Sequence, residues 1–282
     1  MARPQWFIEI LKKTFPGRFF LAKLTRIPGM RYLVDNLLFE GDEVIYLPKD
    51  KVINDKLKTV HQINVNKKVA LQDDIALPST IINDFIDKAK YHWVMNFCLC
   101  RESNNCTNYS SKLGCLFMGE AVLKINPAYG RLVSKEEAKQ HIKKCSDEGL
   151  IHLIGRNKLD AQWLDVEPGD KLLTICNCCE CCCLWKMLPD LDVKISRKIS
   201  KIPGIKIQVT DECIGCGDCT SNHCFVEAIK LHEGKATINE DLCRGCGRCI
   251  DICEENAIQL IIEDSNFLNE TFKRISSVVD VS

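Results

Sequence analysis

Cysteine is the residue type in this chain that most clearly points to chemistry. The sequence has 19 cysteines among 282 residues, several times more than core packing needs. Six of them fall between Cys176 and Cys183, and cysteines so crowded cannot all reach separate disulfide partners without strain. Because thiolates are also strong ligands of zinc and iron, metal or cluster binding is the simpler interpretation.

Eight of the cysteines belong to an internal repeat near the C-terminus. The segment CIGCGDCTSNHC recurs as CRGCGRCIDIC, about 30 residues later. Three thiolates separated by two residues each can surround one face of a cubane iron–sulfur cluster, and the glycines between them permit tight turns. Paired C-x2-C motifs are also typical of zinc sites, in which two such pairs supply the four ligands. Each motif here has a third cysteine after two more residues, which a four-ligand zinc site does not need. The repeat therefore predicts two equivalent cluster-binding halves.

These motifs resemble the bacterial two-cluster ferredoxin family over residues 205–262. The resemblance implies two 4Fe-4S clusters, each of which takes its fourth ligand from the other motif. The implied ligands are Cys213, Cys216, Cys219 and Cys253 for the first cluster and Cys243, Cys246, Cys249 and Cys224 for the second. The sequence departs from the family by one extra residue between Cys219 and Cys224, and by Phe225 and Glu254 where the family usually has proline.

Eleven cysteines remain in the middle of the chain, more than one further cluster needs. The short segments CLCR, GCLFMG and ICNCCECCC precede the ferredoxin-like motifs. In this order they are similar to segments of poorly characterised iron–sulfur proteins of anaerobic bacteria and archaea. We expect at least one further iron–sulfur cluster here; a redox-active disulfide and a larger cluster are the alternatives. The expected ligands, which strand ends would present together, are Cys98, Cys106, Cys115, and Cys176 or Cys178. Cys145 is expected to be a buried apolar residue.

Arg101 follows Cys100 directly in the sequence. A guanidinium at this position would offset the negative charge of a reduced cluster. An ordinary surface arginine explains the residue equally well.

The elements that position these cysteines alternate between strands and helices, which favours an α/β or α+β unit. A strand over 91–99, a second over 171–175 and a helix capped by Ser134 and Glu137 are expected in it. Pro203-Gly204 suggests a boundary with the C-terminal domain. The predicted class is α+β, with an N-terminal region 1–75, a cysteine-rich domain 76–202, a two-cluster ferredoxin domain 203–262 and a tail helix 263–282.

The charge distribution suggests how the chain meets its partners. Residues 205–263 carry eleven acidic and five basic residues, whereas the first 31 residues carry seven basic residues and one acid among several aromatics. This basic start is typical of a docking or membrane-surface segment, or else of a helix packed on its own core. No basic patch with stacking aromatics recurs, so we expect no nucleic-acid partner.

Sequence features also predict a cytoplasmic location. No apolar run is long enough for a transmembrane helix, and the charged start lacks the apolar core of a secretory signal. A reducing compartment would keep the thiols available as ligands.

These features favour an iron–sulfur electron-transfer protein or subunit. It would relay low-potential electrons to or from a partner oxidoreductase in anaerobic metabolism, without being catalytic itself. Neither G-x-G-x-x-G nor a P-loop occurs, which argues against a self-contained nucleotide enzyme. One alternative is a reductase with a catalytic cluster or redox disulfide in the cysteine-rich domain. The other is a cluster carrier or maturation factor whose exposed thiols pass metal on.

Overall fold

The computed structural model describes residues 3–54, 77–220, 223–264 and 266–282. Residues 55–75 of the predicted N-terminal region lie outside the described residues, as do residues 221 and 222 of the loop before Cys224. Helices and sheets are mixed along the described chain, so the predicted α+β class is confirmed.

A seven-stranded sheet forms the centre of the molecule. Its strands are β1 (Glu43–Tyr46), β2 (His92–Met95), β3 (Leu116–Met118), β4 (Gly130–Val133), β5 (Ile151–Arg156), β6 (Leu173–Cys178) and β7 (Ile199–Lys201). They lie in the order β4-β2-β3-β6-β5-β1-β7, and every pair is antiparallel except β1 with β7. Strand β6 is therefore the middle strand, and its cysteine-bearing end leaves the sheet at its centre.

Helices lie before, between and after these strands in the described chain. They are α1 (Gln5–Thr14), α2 (Arg18–Leu24), α3 (Pro28–Val34), α4 (Pro78–Lys88), α5 (Leu99–Ser103), α6 (Lys135–Asp147), α7 (Lys158–Leu164), α8 (Val193–Ser196), α9 (Arg248–Ile252) and α10 (Phe267–Ser276). A π-helical turn at Asp35–Phe39 follows α3. Helix α6 has the predicted capping box, in which Ser134 accepts from the Glu137 amide and the Glu137 carboxylate accepts from the Ser134 amide.

The cysteine repeat lies between short antiparallel strand pairs. Strand β8 (Ile205–Val209) pairs with β11 (Ile258–Ile262), and β9 (Ile229–His232) pairs with β10 (Lys235–Ile238). The β8–β11 pair joins the first residues of the repeat region to its last ones. Both cysteine motifs are thereby held in one unit.

One hydrophobic core crosses the predicted domain boundary. It contains Phe85 of α4, Ile154 of β5, Ile205 of β8 and Ile258 of β11, all nearly inaccessible to solvent. The ring of Phe272 in α10 stacks on Phe85 at 4.5 Å between centroids. The tail helix therefore packs on the body of the protein, and the ferredoxin-like part shares its core with the central sheet. In the described part of the chain, no helix has the length and apolarity to cross a bilayer.

Candidate metal centres

Two small cavities in the C-terminal repeat are each lined by four cysteines. One cavity, which we call the first quartet, is lined by Cys213, Cys216, Cys219 and Cys253. The other, the second quartet, is lined by Cys224, Cys243, Cys246 and Cys249. The fourth cysteine of each quartet comes from the other half of the repeat, which is the arrangement that the family resemblance implies. The ligation itself stays a prediction.

Backbone amides donate hydrogen bonds to at least two sulfurs of each quartet. The bonds run from Ala236 to Cys213, from Ala257 to Cys253, from Gly245 to Cys243 and from Ala228 to Cys224, with N–S distances of 3.3–3.4 Å. The bonds to Cys224 and Cys253 occupy equivalent places in the repeat. Amide donors favour the thiolate form, so the donor set of both quartets fits iron–sulfur clusters.

Two glycines between the cysteines of the first motif are required by backbone geometry. Gly215 and Gly217 have φ values of +73° and +88°, in the left-handed region that favours glycine. A Cβ atom on Gly215 would lie 2.0 Å from the carbonyl oxygen of Gly234, in the β9–β10 hairpin. The hairpin therefore packs directly on the loop that presents Cys213 and Cys216.

Three thiols of the second quartet, those of Cys243, Cys246 and Cys249, favour their protonated form when no metal is bound. Burial raises the pKa of Cys246 to about 11, and it raises the pKa values of Cys243 and Cys249 above their ordinary value as well. Only thiolates bind metal, so loading of this site must displace protons and is favoured by higher pH.

Six further cysteines, the six-cysteine group, meet where β6 leaves the sheet. They are Cys98, Cys100, Cys115, Cys176, Cys178 and Cys183. The sulfurs of Cys115 and Cys176 are 3.8 Å apart, and those of Cys178 and Cys183 are 3.3 Å apart. The thiols of Cys98 and Cys100 interact, as do those of Cys176 and Cys178. Cys176 and Cys178 can meet because alternate residues of a strand share one face.

The six-cysteine group favours negative charge at selected sulfurs. Hydrogen bonds from the thiols of Cys176 and Cys183 lower the pKa of Cys178 well below its ordinary value. A hydrogen bond from Cys100 likewise lowers the pKa of Cys98. Thiolates of this kind are the form that binds metals or attacks a disulfide.

Arg101 supplies a buried positive charge beside these thiols. Its side chain is almost fully buried, and it donates to the carbonyl oxygens of Ser110 and Asn177 at 3.0 and 2.7 Å and to that of Leu113. Burial opposes its charge, but the thiolates of Cys98 and its neighbours raise the pKa of Arg101 overall. The interpretation of Arg101 as a surface residue is therefore excluded. A buried cation needs a nearby anion, and the surrounding thiolates fill that role.

The structure brings together four of the five cysteines predicted for a further cluster. Cys98, Cys115, Cys176 and Cys178 all belong to the six-cysteine group. Cys106 does not, because its sulfur lies with those of Cys179, Cys181 and Cys182. The sequence analysis missed Cys100 and Cys183 as neighbours of the group. Cys145 is fully buried, as expected.

The second quartet and the six-cysteine group are adjacent. The hydroxyl of Tyr46 on β1 lies 3.5 Å from the sulfur of Cys183, and its ring lies 4.9 Å from the ring of Phe225, the residue after Cys224. Arg248, two residues after Cys246, donates to the carbonyl oxygen of Cys178 at 3.0 Å. Side chains of both centres thus contact the same hydrophobic core.

A cavity of about 390 Å³ lies between the N-terminal helices and the six-cysteine group. Its wall is mostly apolar, but it also includes the thiol of Cys115 and the charged side chains of Arg18 and Asp160. Arg18 is about nine-tenths buried, stacks on the rings of Phe15 and Phe19 at 4.1 and 4.3 Å, and has no hydrogen-bond partner at Nε. Burial raises the pKa of Asp160 to about 6. The cavity therefore offers an apolar volume with one unsatisfied cationic donor.

Comparison with known proteins supports an iron–sulfur assignment for the C-terminal part. Residues 236–259 match the 4Fe-4S binding domain family. A stretch of 66 residues is 42% identical to one of the subunits of an ion-translocating oxidoreductase complex of Methanosarcina acetivorans. That stretch covers 23% of this chain and 25% of the relative, so the chain spans about a quarter of the relative's length. No solved structure matches the chain. The chain therefore carries a ferredoxin-type, iron–sulfur electron-transfer region at its C-terminal end.

Proposed function

We propose that this protein relays electrons between a partner oxidoreductase and a cysteine-rich centre of its own, through two 4Fe-4S clusters in anaerobic metabolism. The observation that carries the proposal is the grouping of the eight repeat cysteines into two quartets, each around its own cavity. The Methanosarcina acetivorans relative is a subunit of an oxidoreductase complex, which favours a role with partner proteins here too. The proposed compartment is the cytoplasm.

The residues around the quartets suit this task. A bound cluster of this class accepts and releases one electron at a time. Ile229 and Ile258 are buried against the quartets and limit the access of water. Cys216 is exposed, and Ile214 beside it is 66% exposed, so the first quartet reaches the surface. A partner can therefore approach the first quartet closely, where acidic residues such as Asp211 and Asp218 surround it.

We propose at least one further iron–sulfur cluster at the six-cysteine group. The buried charge of Arg101 supports a negatively charged centre at this place. The contacts of Tyr46 with Cys183 and Phe225 support electron exchange between the six-cysteine group and the second quartet, because these side chains connect the two centres without solvent between them. The order of centres would then be first quartet, second quartet, six-cysteine group.

Metal analysis of anaerobically purified protein tests the proposal. About eight irons per chain would mean that only the two quartets are loaded, and about twelve or more would establish the additional centre. Electron paramagnetic resonance during a redox titration should then show separate low-potential signals. Folded protein that contains no iron would contradict the proposed function.

The cavity beside Cys115 favours a second candidate function, a reductase. Its apolar wall and the unsatisfied Nε of Arg18 suit an apolar molecule with a carboxylate group. Two electrons from the centres and two protons would saturate one double bond of such a substrate. Asp160, whose pKa is raised to about 6, is a candidate proton donor.

Oxidation of reduced methyl viologen in the presence of cinnamate tests the reductase. Arg18→Gln should raise the KM for cinnamate at least tenfold, because the buried cation is lost. Arg26→Gln removes an exposed arginine of the same helical region and should change nothing. No cinnamate-dependent oxidation, with all centres loaded, would leave electron transfer as the function.

The cluster-carrier alternative is less well supported. It needs exposed thiols, and the six cysteines between residues 176 and 183 are buried or half-buried.

The N-terminal helices offer a docking surface for an acidic membrane. Trp6, Phe20 and Tyr32 are 63–70% exposed, and the basic side chains of Lys13 and Lys23 lie among them along the chain. Exposed aromatics next to lysines are typical of segments that lie on a membrane surface. Part of the same region is structural, because Ile8 and Ala22 are buried in the core.

A further inference from the structure

Four cysteines outside the centres described above form a compact cluster of their own. All four sulfurs of Cys106, Cys179, Cys181 and Cys182 lie within 4.8 Å of one another. The sulfur of Cys181 is 3.6 Å from that of Cys106 and 3.6 Å from that of Cys182. Among the described residues, this is the one group of three or more Cys, His, Asp or Glu side chains with ligand atoms so close together.

These distances fit one metal ion better than a cluster. Zinc binds thiolate sulfur at about 2.3 Å, so the sulfurs of a tetrahedral site stand about 3.8 Å apart. The four thiolates of a cubane bind four different irons and must stand further apart. The two quartets of the ferredoxin-like part are not as compact as this group, which agrees with their different predicted cofactor.

Two separate loops supply the four sulfurs. Cys106 follows α5, whereas the other three lie in the loop after β6. The side-chain amide of Asn104 donates to the carbonyl oxygen of Cys182 at 3.4 Å, and Glu180 accepts from Tyr109 at 3.2 Å. Glu180 also pairs with Arg248 at 2.8 Å. These contacts hold the two loops next to each other around the four sulfurs.

The surroundings favour a closed site of thiolates. Backbone amides of Asn108 and Tyr109 donate to the sulfur of Cys106, and the amide of Cys182 donates to that of Cys179. Amide-to-sulfur bonds stabilise thiolates and recur around metal-bound cysteines. Cys179 and Cys182 are only 3% and 4% exposed, and Leu113 and Leu150 pack behind them. Cys106 and Cys181 are half-buried. A site with four thiolate ligands is structural, since no coordination position remains for water or substrate.

We propose that Cys106, Cys179, Cys181 and Cys182 bind one zinc ion, which ties the loop after β6 to the segment after α5. This ion would hold in place the chain on either side of the loop, where Cys178 and Cys183 of the six-cysteine group lie. This proposal does not depend on the proposed function, because the zinc content and the iron content of the protein are measured separately.

Metal analysis and X-ray absorption of the full chain test the zinc site. Protein made in zinc-supplemented medium should contain one zinc per chain, with four sulfur neighbours at about 2.3 Å and no nitrogen or oxygen neighbour. Cys106→Ser and Cys181→Ser should each lower the zinc content by more than half. Cys145→Ala removes a neighbouring buried cysteine that is not in the group and should retain the zinc.

Three results would overturn the zinc site. The first is wild-type protein without zinc, and the second is a zinc spectrum with nitrogen or oxygen neighbours. The third is a loss of four irons, rather than of zinc, in Cys106→Ser. Circular dichroism of each variant shows whether it is folded, and if one variant unfolds, the X-ray absorption spectrum of the wild type still decides the ligand set.

Discussion

The exchange of the fourth cysteine between the two halves of the repeat can be tested by combining substitutions. Cys253→Ser should remove the metal of the first quartet, although Cys253 belongs to the second motif. We expect it to lower the iron content by about four per chain. Cys213→Ser should do the same, and the double variant should lose no more than either single variant, because both residues serve one cavity.

A second double variant, for comparison, combines one cysteine from each quartet. Cys253→Ser with Cys243→Ser removes one cysteine from each cavity and should lower the iron content by about eight, twice the loss of either single variant. The assay is iron and sulfide analysis of anaerobically purified variants, with each value taken as a difference from the wild type so that iron elsewhere cancels. Additive losses for Cys213 with Cys253, together with non-additive losses for Cys243 with Cys253, would refute the exchanged pairing. Equal losses in both double variants would refute two independent quartets.

Three further predictions concern a turn, a buried carboxyl and the N-terminal surface. Gly215→Ala should speed the loss of iron to a chelator, because its Cβ would lie 2.0 Å from the Gly234 oxygen. Asp42→Asn should raise the anaerobic melting temperature at pH 8 but not at pH 4, since burial raises the pKa of Asp42 from 3.8 to about 7. Trp6→Ala with Phe20→Ala should weaken co-sedimentation with phosphatidylglycerol vesicles at least fivefold.

The sign for Asp42 follows from proton linkage. A carboxyl with a raised pKa in the folded state is destabilising when ionised, so wild-type stability falls as pH rises between the unfolded and folded values, and the cost is complete above about 7. This difference between the unfolded and folded pKa values of Asp42 corresponds to about 4 kcal/mol as an upper limit. The explanation requires that Asp42→Asn raises the melting temperature more at pH 8 than at pH 4. An increase of the same size at both pH values would contradict it.

Control substitutions accompany the other two predictions. Gly29→Ala adds a Cβ with no atom within 4 Å, so its iron loss should match that of the wild type. Leu123→Ala removes an apolar side chain that is 49% exposed outside the N-terminal helices, and it should leave vesicle binding unchanged. Normal iron retention by Gly215→Ala, or vesicle binding that depends equally on Leu123, would count against these two explanations.

Local features were the ones that sequence could predict. The spacing of Cys213, Cys216 and Cys219 predicts a cavity lined by all three, because residues that close in a glycine-containing turn must point to one centre. The capping box of Ser134 and Glu137 is also a short-range pattern, and the structure contains it. Patterns of this range depend only on residues that are close together in the sequence.

Contacts between residues far apart in the sequence could not be predicted in the same way. Cys106 reaches Cys181 because the chain after α5 and the loop after β6 lie side by side, which depends on the position of β6 in the sheet. The strand expected over 91–99 ends at Met95, and the amide of Cys98 instead donates to the carbonyl oxygen of Ser111. Burial of Arg101 likewise results from packing between distant segments, which no local spacing encodes.

The six cysteines between residues 176 and 183 are divided between two groups of sulfurs, and this division restricts changes in the length of the segment. Cys176, Cys178 and Cys183 belong to the six-cysteine group, while the cysteines at 179, 181 and 182 belong to the compact group with Cys106. Deleting Glu180 would shift Cys181, Cys182 and Cys183 by one position each, so that Cys183 would take the place of Cys182 in the compact group and be lost from the six-cysteine group. A substitution of one cysteine in this segment affects the one group to which its sulfur belongs, whereas a single insertion or deletion would disrupt both groups at once.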